Sequence, residues 1–201
     1  MQVRSSSSDG DGGIWVEVRE LPGSKLGSIV WDGALLLCDV LEGVLARARA
    51  RGQRQQPADP EPGSAPPLVA IEVGAGTGLA GIAAAALGAR VLLTDKAAEC
   101  TELMRANAAR NVEAVAEYTE GRGAMDVLEL TWGNDADAAE AERWAAGAAA
   151  TVGGAAGTAD LIIASDVLYR EDLVAPFIST LVRLSTTNTP PPQILLAYHE
   201  R

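Results

Sequence analysis

Ile71-Glu72-Val73-Gly74-Ala75-Gly76-Thr77-Gly78 runs from an apolar stretch into three glycines at alternate positions. A short apolar run that breaks on glycine predicts a buried strand, a tight turn and then a helix. The next apolar run, Arg90-Val91-Leu92-Leu93-Thr94-Asp95, closes on a carboxylate. Strand, glycine turn, helix, strand and acid make the first half of a nucleoside-binding α/β unit. The glycines let a backbone approach its ligand with no Cβ between them. Asp95, at the carboxyl end of the second strand, can accept hydrogen bonds from a ribose diol.

The glycines read in two registers. Gly76-x-Gly78-x-x-Gly81 satisfies the dinucleotide fingerprint, with Asp95 at about the expected distance, and so admits a nicotinamide-dependent oxidoreductase. One step earlier, Glu72-x-Gly74-x-Gly76-x-Gly78 is the acid-x-G-x-G-x-G pattern of S-adenosylmethionine enzymes. Glu72 favours the second register. It holds an interior strand position where a dinucleotide site has an apolar residue, and a buried acid there needs donors from the glycine loop or the cofactor.

Outward from this unit, residues 14–19 alternate as a short strand of an N-terminal hairpin. A helix follows to about Arg51, with Asp32 as N-cap and Leu35, Cys38, Leu41 and Leu45 as its apolar stripe. A helix over 79–87 stops at Gly88, and after the strand ending at Asp95 another runs to about Asn111 with Cys100, Leu103, Met104 and Ala108 on one side. Residues 127–132 read as a third strand, 160–165 as a fourth buried on both faces, and 193–198 as a fifth. Between the last two lies a helix carrying Leu173, Phe177, Ile178, Leu181 and Leu184, with Pro176 starting or kinking its first turn. Alternating strands and helices specify an α/β, doubly wound parallel sheet. Residues 1–13 read as a disordered tail and 14–201 as one domain. Within it, 52–67 and 134–159 are low-complexity loops, the second compatible with a helix over 138–150.

Composition narrows the function. The 201 residues suit one domain, and a formal net charge of −11 opposes a nucleic-acid groove while suiting a basic side chain such as lysine as the acceptor. His199 is the sole histidine, which removes paired-histidine metal sites, so no metal is expected. Cys38 and Cys100 read as small buried hydrophobes in a reducing compartment. No apolar run reaches the length of a membrane span and the first residues carry no hydrophobic signal core, so a cytoplasmic protein is expected.

Three further stretches act together: Val30-Trp31-Asp32, Leu130-Thr131-Trp132-Gly133 and Asp166-Val167-Leu168-Tyr169. With Ile194-Leu195-Leu196-Ala197-Tyr198-His199-Glu200-Arg201, their order resembles the small seven-strand protein-lysine methyltransferases, nearest the branch that modifies chaperones and the ATPase valosin-containing protein. The resemblance implies a Rossmann-like class I methyltransferase sheet that binds S-adenosylmethionine. It also implies two antiparallel strands after the fifth, for which a chain ending at Arg201 leaves no sequence, so the expected sheet lacks them.

By that resemblance Trp31 packs beside the cofactor, Gly74, Ala75 and Gly76 line its methionine and ribose, with Glu72 and Gly78 completing the motif. Asp95 binds the ribose hydroxyls, Trp132 sits at the adenine and Ser165 borders the pocket. Asp166 and Tyr169 match a D-x-x-Y motif that faces the transferred methyl, making them the expected catalytic pair. The implied acceptor is a lysine of a protein, such as a chaperone or ATPase, modified by a monomeric enzyme. A small-molecule methyltransferase and a catalytically idle cofactor-binding module stay open at this level.

Overall fold

The computed structural model describes residues 2–3, 13–53, 66–96, 98–152, 159–186 and 190–199. Its chain order is β1 (Gln2–Val3), β2 (Ile14–Trp15), a 3-10 turn (Leu26–Ser28), α1 (Asp32–Gln53), β3 (Val69–Val73), α2 (Leu79–Ala86), β4 (Arg90–Asp95) and α3 (Ala98–Tyr118). Then follow β5 (Ala124–Glu129), α4 (Asp135–Thr151), β6 (Leu161–Ser165), α5 (Glu171–Thr186) and β7 (Gln193–Ala197). Five strands form one parallel sheet in the order β5-β4-β3-β6-β7. The chain winds outward from β3 to β5, then returns to β6 and winds the other way. The strand order therefore reverses between β3 and β6, where ligands of such sheets bind.

Period-two alternation splits the core into two layers. Ala70, Val91, Leu93, Leu161 and Ile163 face α1, α2 and α3 and pack with Leu37, Leu41, Leu45, Ile82 and Met104. Val69, Ile71, Val73, Leu92 and Ile162 face α4 and α5 and pack with Ala141, Ala145, Phe177, Leu181 and Leu184. Each fully buried Leu, Ile or Phe contributes about 1.5–3 kcal/mol. The core is anchored by aliphatics because the sequence holds a single Phe, and that Phe is buried.

Several expectations shift. The α1 stripe is Ala34, Leu37, Leu41, Val44 and Leu45, while Leu35 is exposed. Of the α5 residues, Ile178 is exposed and Thr180 buried. Pro176 lies in the second turn of α5, removing one backbone donor there. The low-complexity segment at 134–159, read as compatible with a helix over 138–150, is helix over Asp135–Thr151. Asn134 Oδ1 accepts from Ala136 and Asp137 N–H at 2.9 and 3.4 Å, and buried Ala138, Ala141, Ala145 and Ala149 lay a narrow stripe against the sheet. It is the crossover helix into β6, and its small side chains let it lie close. Gln2 and Val3, expected in the tail, pair antiparallel with Trp15 and Ile14. The rest of that tail up to residue 12, most of the 52–67 connection and 153–158 lie outside the described residues. Among those described, β7 pairs with β6 alone, and Ile194 and Leu196 are exposed. No described helix is long and apolar enough to cross a membrane.

Candidate active site

A cavity of about 640 Å³ opens over the β3–β6 switch point. Its floor is Gly74, Ala75, Gly76 and Thr77, its sides include Asp95, Trp132 and Ser165, and its rim carries Lys25, Trp31, Asp166, Tyr169, Tyr198 and His199. The volume falls within the range of small-molecule sites.

The glycine turn is built by the strand beside it. Gly74 and Ala75 N–H both donate to Thr94 O, at 2.9 and 2.8 Å, and Gly76 N–H donates to Asp95 Oδ2 at 3.0 Å. Gly74, Gly76 and Gly78 all hold positive φ, at 77, 55 and 82°. A Cβ at Gly74 would lie 2.8 Å from the Trp132 ring, and one at Gly76 would lie 2.8 Å from Gly27 O. Both glycines thus admit neighbouring parts of the protein as well as lining the cavity. Asp95 Oδ1 accepts from Lys96 N–H at 2.8 Å, so the carboxylate is fixed at the cavity wall with a lone pair left on each oxygen.

Two expected site residues lie outside the cavity lining. Glu72 is buried behind the turn, on the α1–α2 side of β3, where Oε2 accepts from Gly81 N–H at 2.8 Å. Burial, with a smaller contribution from the Asp95 charge, pushes its carboxyl up to about 8. Its donor is the first turn of α2, not a ligand. Gly78 is the left-handed residue from which α2 starts. Gly81 completes the dinucleotide-like spacing for a packing reason: its Cβ would lie 2.2 Å from Leu93 Cδ2 and 2.5 Å from Glu72 Oε2. Both registers of the glycine pattern are real. One forms the turn and the other seats the helix on the sheet.

On the opposite side, Asp166 follows β6 with φ +50°, a conformation few non-glycine residues adopt. Its N–H donates to Ala197 O at 3.0 Å, and its Oδ2 accepts from Gly33 N–H at 2.7 Å. A carboxylate expected to face the methyl group is therefore also the N-terminal cap of α1, the role expected of Asp32. Gly33 is required for this, since a Cβ there would lie 2.4 Å from Asp166 Oδ2. Asp32 instead faces His199, with Oδ2 3.4 Å from Nδ1, both exposed. Tyr169 lines the cavity half-exposed, and burial followed by the charge of Asp95 raises its phenol.

The remaining aromatics are partly structural. Trp132 tilts against Phe177 at 5.1 Å, and Trp31 Nε1 donates to Leu26 O at 2.8 Å. That bond closes a strap, residues 20–31, which Glu20 Oε1 ties to Val30 N–H at 2.7 Å and Leu21 N–H ties to Ser28 O at 2.8 Å. The strap reaches the glycine turn through Gly27. The chain entering it is held by Asn107 and Asn111. Their side chains bond both N–H and O of Arg19 and of Glu17, while Asn107 Nδ2 also reaches Thr77 O. Sequence reasoning assigned no role to Gly27, Gly33, Asn107 or Asn111. The only available signal was two asparagines four apart inside a helix, where side chains must bond something or face water.

A glycine turn facing an acid, on a doubly wound sheet with a cavity at its switch point, defines a nucleoside-binding α/β protein. The chain belongs to the lysine methyltransferase family, whose model matches residues 13–201. It is 33% identical over 163 residues to protein N-lysine methyltransferase METTL21A of Danio rerio, covering 81% of this chain and 57% of that protein. Against METTL21A of Mus musculus it is 30% identical, with the same coverage of 81% and 57%. Against methyltransferase-like protein 22 of Homo sapiens it is 29% identical over 82% of this chain and 36% of the other. The chain thus spans a little over half the length of the METTL21A relatives.

Proposed function

We propose that this chain is an S-adenosylmethionine-dependent methyltransferase acting on a lysine side chain of a protein. The observation that carries this reading is one cavity bounded by the glycine turn and Asp95 on one side and by Asp166 and Tyr169 on the other. The residues suit the cofactor: Asp95 offers acceptors to a ribose diol, Trp132 an aromatic wall to a base, and Trp31, Ser165 and the backbone of Gly74, Ala75 and Gly76 line the rest. Glu72 and Gly78 support this side from behind. When bound, the cofactor supplies an electrophilic methyl group on sulfonium sulfur.

The protein's share is alignment, which provides much of the acceleration in an in-line displacement. Tyr169 walls the path of the lysine and keeps water out, and Asp166 sets the acceptor-side wall through Gly33. The amine must arrive neutral, its proton passing to water, so no strong base is needed. A chain of net charge −11 attracts a basic acceptor. The reading extends to a cytoplasmic monomer whose acceptor is a chaperone or ATPase.

Calorimetric titration with S-adenosylmethionine, S-adenosylhomocysteine and NAD tests the first step, and labelled cofactor with cell lysate tests the second. Binding of the first two ligands and label in protein lysine are expected. Binding of NAD alone, or label confined to small molecules, overturns the reading.

A further inference from the structure

Asn107 and Asn111 stand four apart on α3, both buried, and grip the chain that enters the strap. Four residues of helix rise about 6 Å and two residues of strand about 6.6 Å, so two side chains on one helix face can serve alternate residues of an extended chain. Asn111 Oδ1 accepts from Glu17 N–H at 2.9 Å, and its Nδ2 donates to Glu17 O at 2.7 Å. Asn107 Oδ1 accepts from Arg19 N–H at 2.8 Å, and its Nδ2 donates to Arg19 O at 3.1 Å. The helix thus supplies the bonds that a neighbouring strand would.

The two asparagines differ in their third bond. Asn111 Nδ2 keeps it inside α3, on Asn107 O at 2.7 Å. Asn107 Nδ2 instead reaches Thr77 O at 2.9 Å, in the glycine turn that floors the cavity. One amide therefore bonds the root of the strap and the turn at once. From Arg19 the chain goes on to supply Lys25, Leu26, Gly27, Ile29 and Trp31 to the cavity lining. At Gly27 it meets the turn again, where a Cβ would lie 3.4 Å from Gly76 Cα. Strap and turn are two walls of one cavity. Asn107 ties them at one end, and the packing of Gly27 on Gly76 does so at the other.

Resting on the proposed methyltransferase reading, we propose that Asn107 is a positioning residue for S-adenosylmethionine, holding the strap at the distance from the glycine turn at which both walls meet the cofactor. Asn107 lies outside the cavity lining and acts through Thr77 and Arg19. A primary amide offers an acceptor and two donors in one plane, which is what Arg19 N–H, Arg19 O and Thr77 O together require. Without it the spacing of the two walls is no longer fixed. The cofactor must then order the strap as it binds, and affinity falls.

Asn111 provides a matched control, because Asn107→Ala and Asn111→Ala each remove two bonds to the entering chain and only the first releases the turn. Urea unfolding should show comparable losses of stability. Calorimetry with S-adenosylmethionine should show a dissociation constant raised about tenfold by Asn107→Ala and changed less than about twofold by Asn111→Ala. A second readout uses the wild-type chain and decides the matter should Asn107→Ala not fold. Saturating S-adenosylhomocysteine should slow hydrogen exchange, followed by NMR, several-fold more at Arg19 N–H than at Glu17 N–H, since binding at the turn must stabilise what the turn holds. Unchanged affinity in a folded Asn107→Ala, an equal loss in Asn111→Ala, or equal protection of the two amides overturns the inference while leaving the proposed function standing. A wild-type chain that binds neither S-adenosylmethionine nor S-adenosylhomocysteine overturns both.

Discussion

Gly33→Ala should destabilise the wild-type protein and stabilise an Asp166→Ala variant. In the wild type the new Cβ arrives 2.4 Å from Asp166 Oδ2 and 2.9 Å from its Cγ, so the carboxylate must swing away. The 2.7 Å bond from Gly33 N–H is then lost. Losing such a cap costs about 1–2 kcal/mol, offset by the roughly 0.5–1 kcal/mol that alanine gains over glycine in a helix, so a net loss of up to about 1.5 kcal/mol is expected. Asp166→Ala alone should cost roughly 2 kcal/mol, combining the lost cap with the left-handed conformation that alanine tolerates poorly. With the carboxylate gone, the methyl group introduced by Gly33→Ala meets no acid, and only the helix-propensity gain of about 0.5–1 kcal/mol is left. Urea unfolding of the four proteins at one pH measures the cycle, with slopes compared to confirm that the same surface unfolds. The coupling should be about 1–2 kcal/mol, well above the scatter expected of independent sites. Additive effects, or equal destabilisation by Gly33→Ala in both backgrounds, would show that Asp166 does not hold α1.

Three more perturbations test other parts of the site. Glu72 binds its proton more tightly in the fold, near 8 against an ordinary 4.5, so its favourable contribution is full below about pH 4.5 and disappears as pH rises through 8. Glu72→Gln keeps an acceptor for Gly81 N–H and should remove that decline, a difference of a few kcal/mol between about pH 5 and about pH 9. Parallel pH profiles for the two proteins would contradict the burial argument. Asp95→Ala should weaken S-adenosylmethionine binding by about 1–3 kcal/mol in calorimetry, since it loses acceptors for the ribose and for Gly76 N–H; an unchanged dissociation constant in a folded variant removes Asp95 from the site. Tyr169→Ala should raise KM for a protein acceptor about tenfold with little change in cofactor affinity, whereas a selective loss of cofactor affinity would move Tyr169 to the other side of the cavity.

The parts of the fold that were legible share a cause. For β3, β4, α2 and β6, the apolar pattern and the glycines at the turns carry most of the instruction, because these elements are almost wholly buried between the two helical layers. β5 was displaced from 127–132 to Ala124–Glu129 because an edge strand is half-exposed and leaves no clean apolar run. α3 continues to Tyr118, past the expected stop near Asn111. Buried Asn107 and Asn111 look like a thinning apolar face, and only the backbone of residues 17–19, some ninety positions earlier, makes them good interior residues. α4 was legible only as a possible helix over 138–150: an alanine stripe spaced three and four apart is as regular as a leucine stripe, but in a run of Ala and Gly the spacing has little contrast.

The site divided along the same line. Its proposed cofactor side is local in sequence, because the turn after β3 is tied to the end of β4 by Gly74 and Ala75 N–H on Thr94 O and by Gly76 N–H on Asp95. The proposed acceptor side is assembled from three segments far apart in the chain: the start of α1, the end of β6 and the end of β7. They meet at Asp166, whose N–H bonds Ala197 O and whose Oδ2 bonds Gly33 N–H across 133 residues. No spacing rule could reveal that junction, since it depends on a positive φ at an aspartate and on a missing Cβ at Gly33. The two sides should fail separately. On the proposed reading, a lesion at Gly76 or Asp95 should act first on cofactor affinity, whereas one at Gly33 or Asp166 should act first on stability and on presentation of the acceptor.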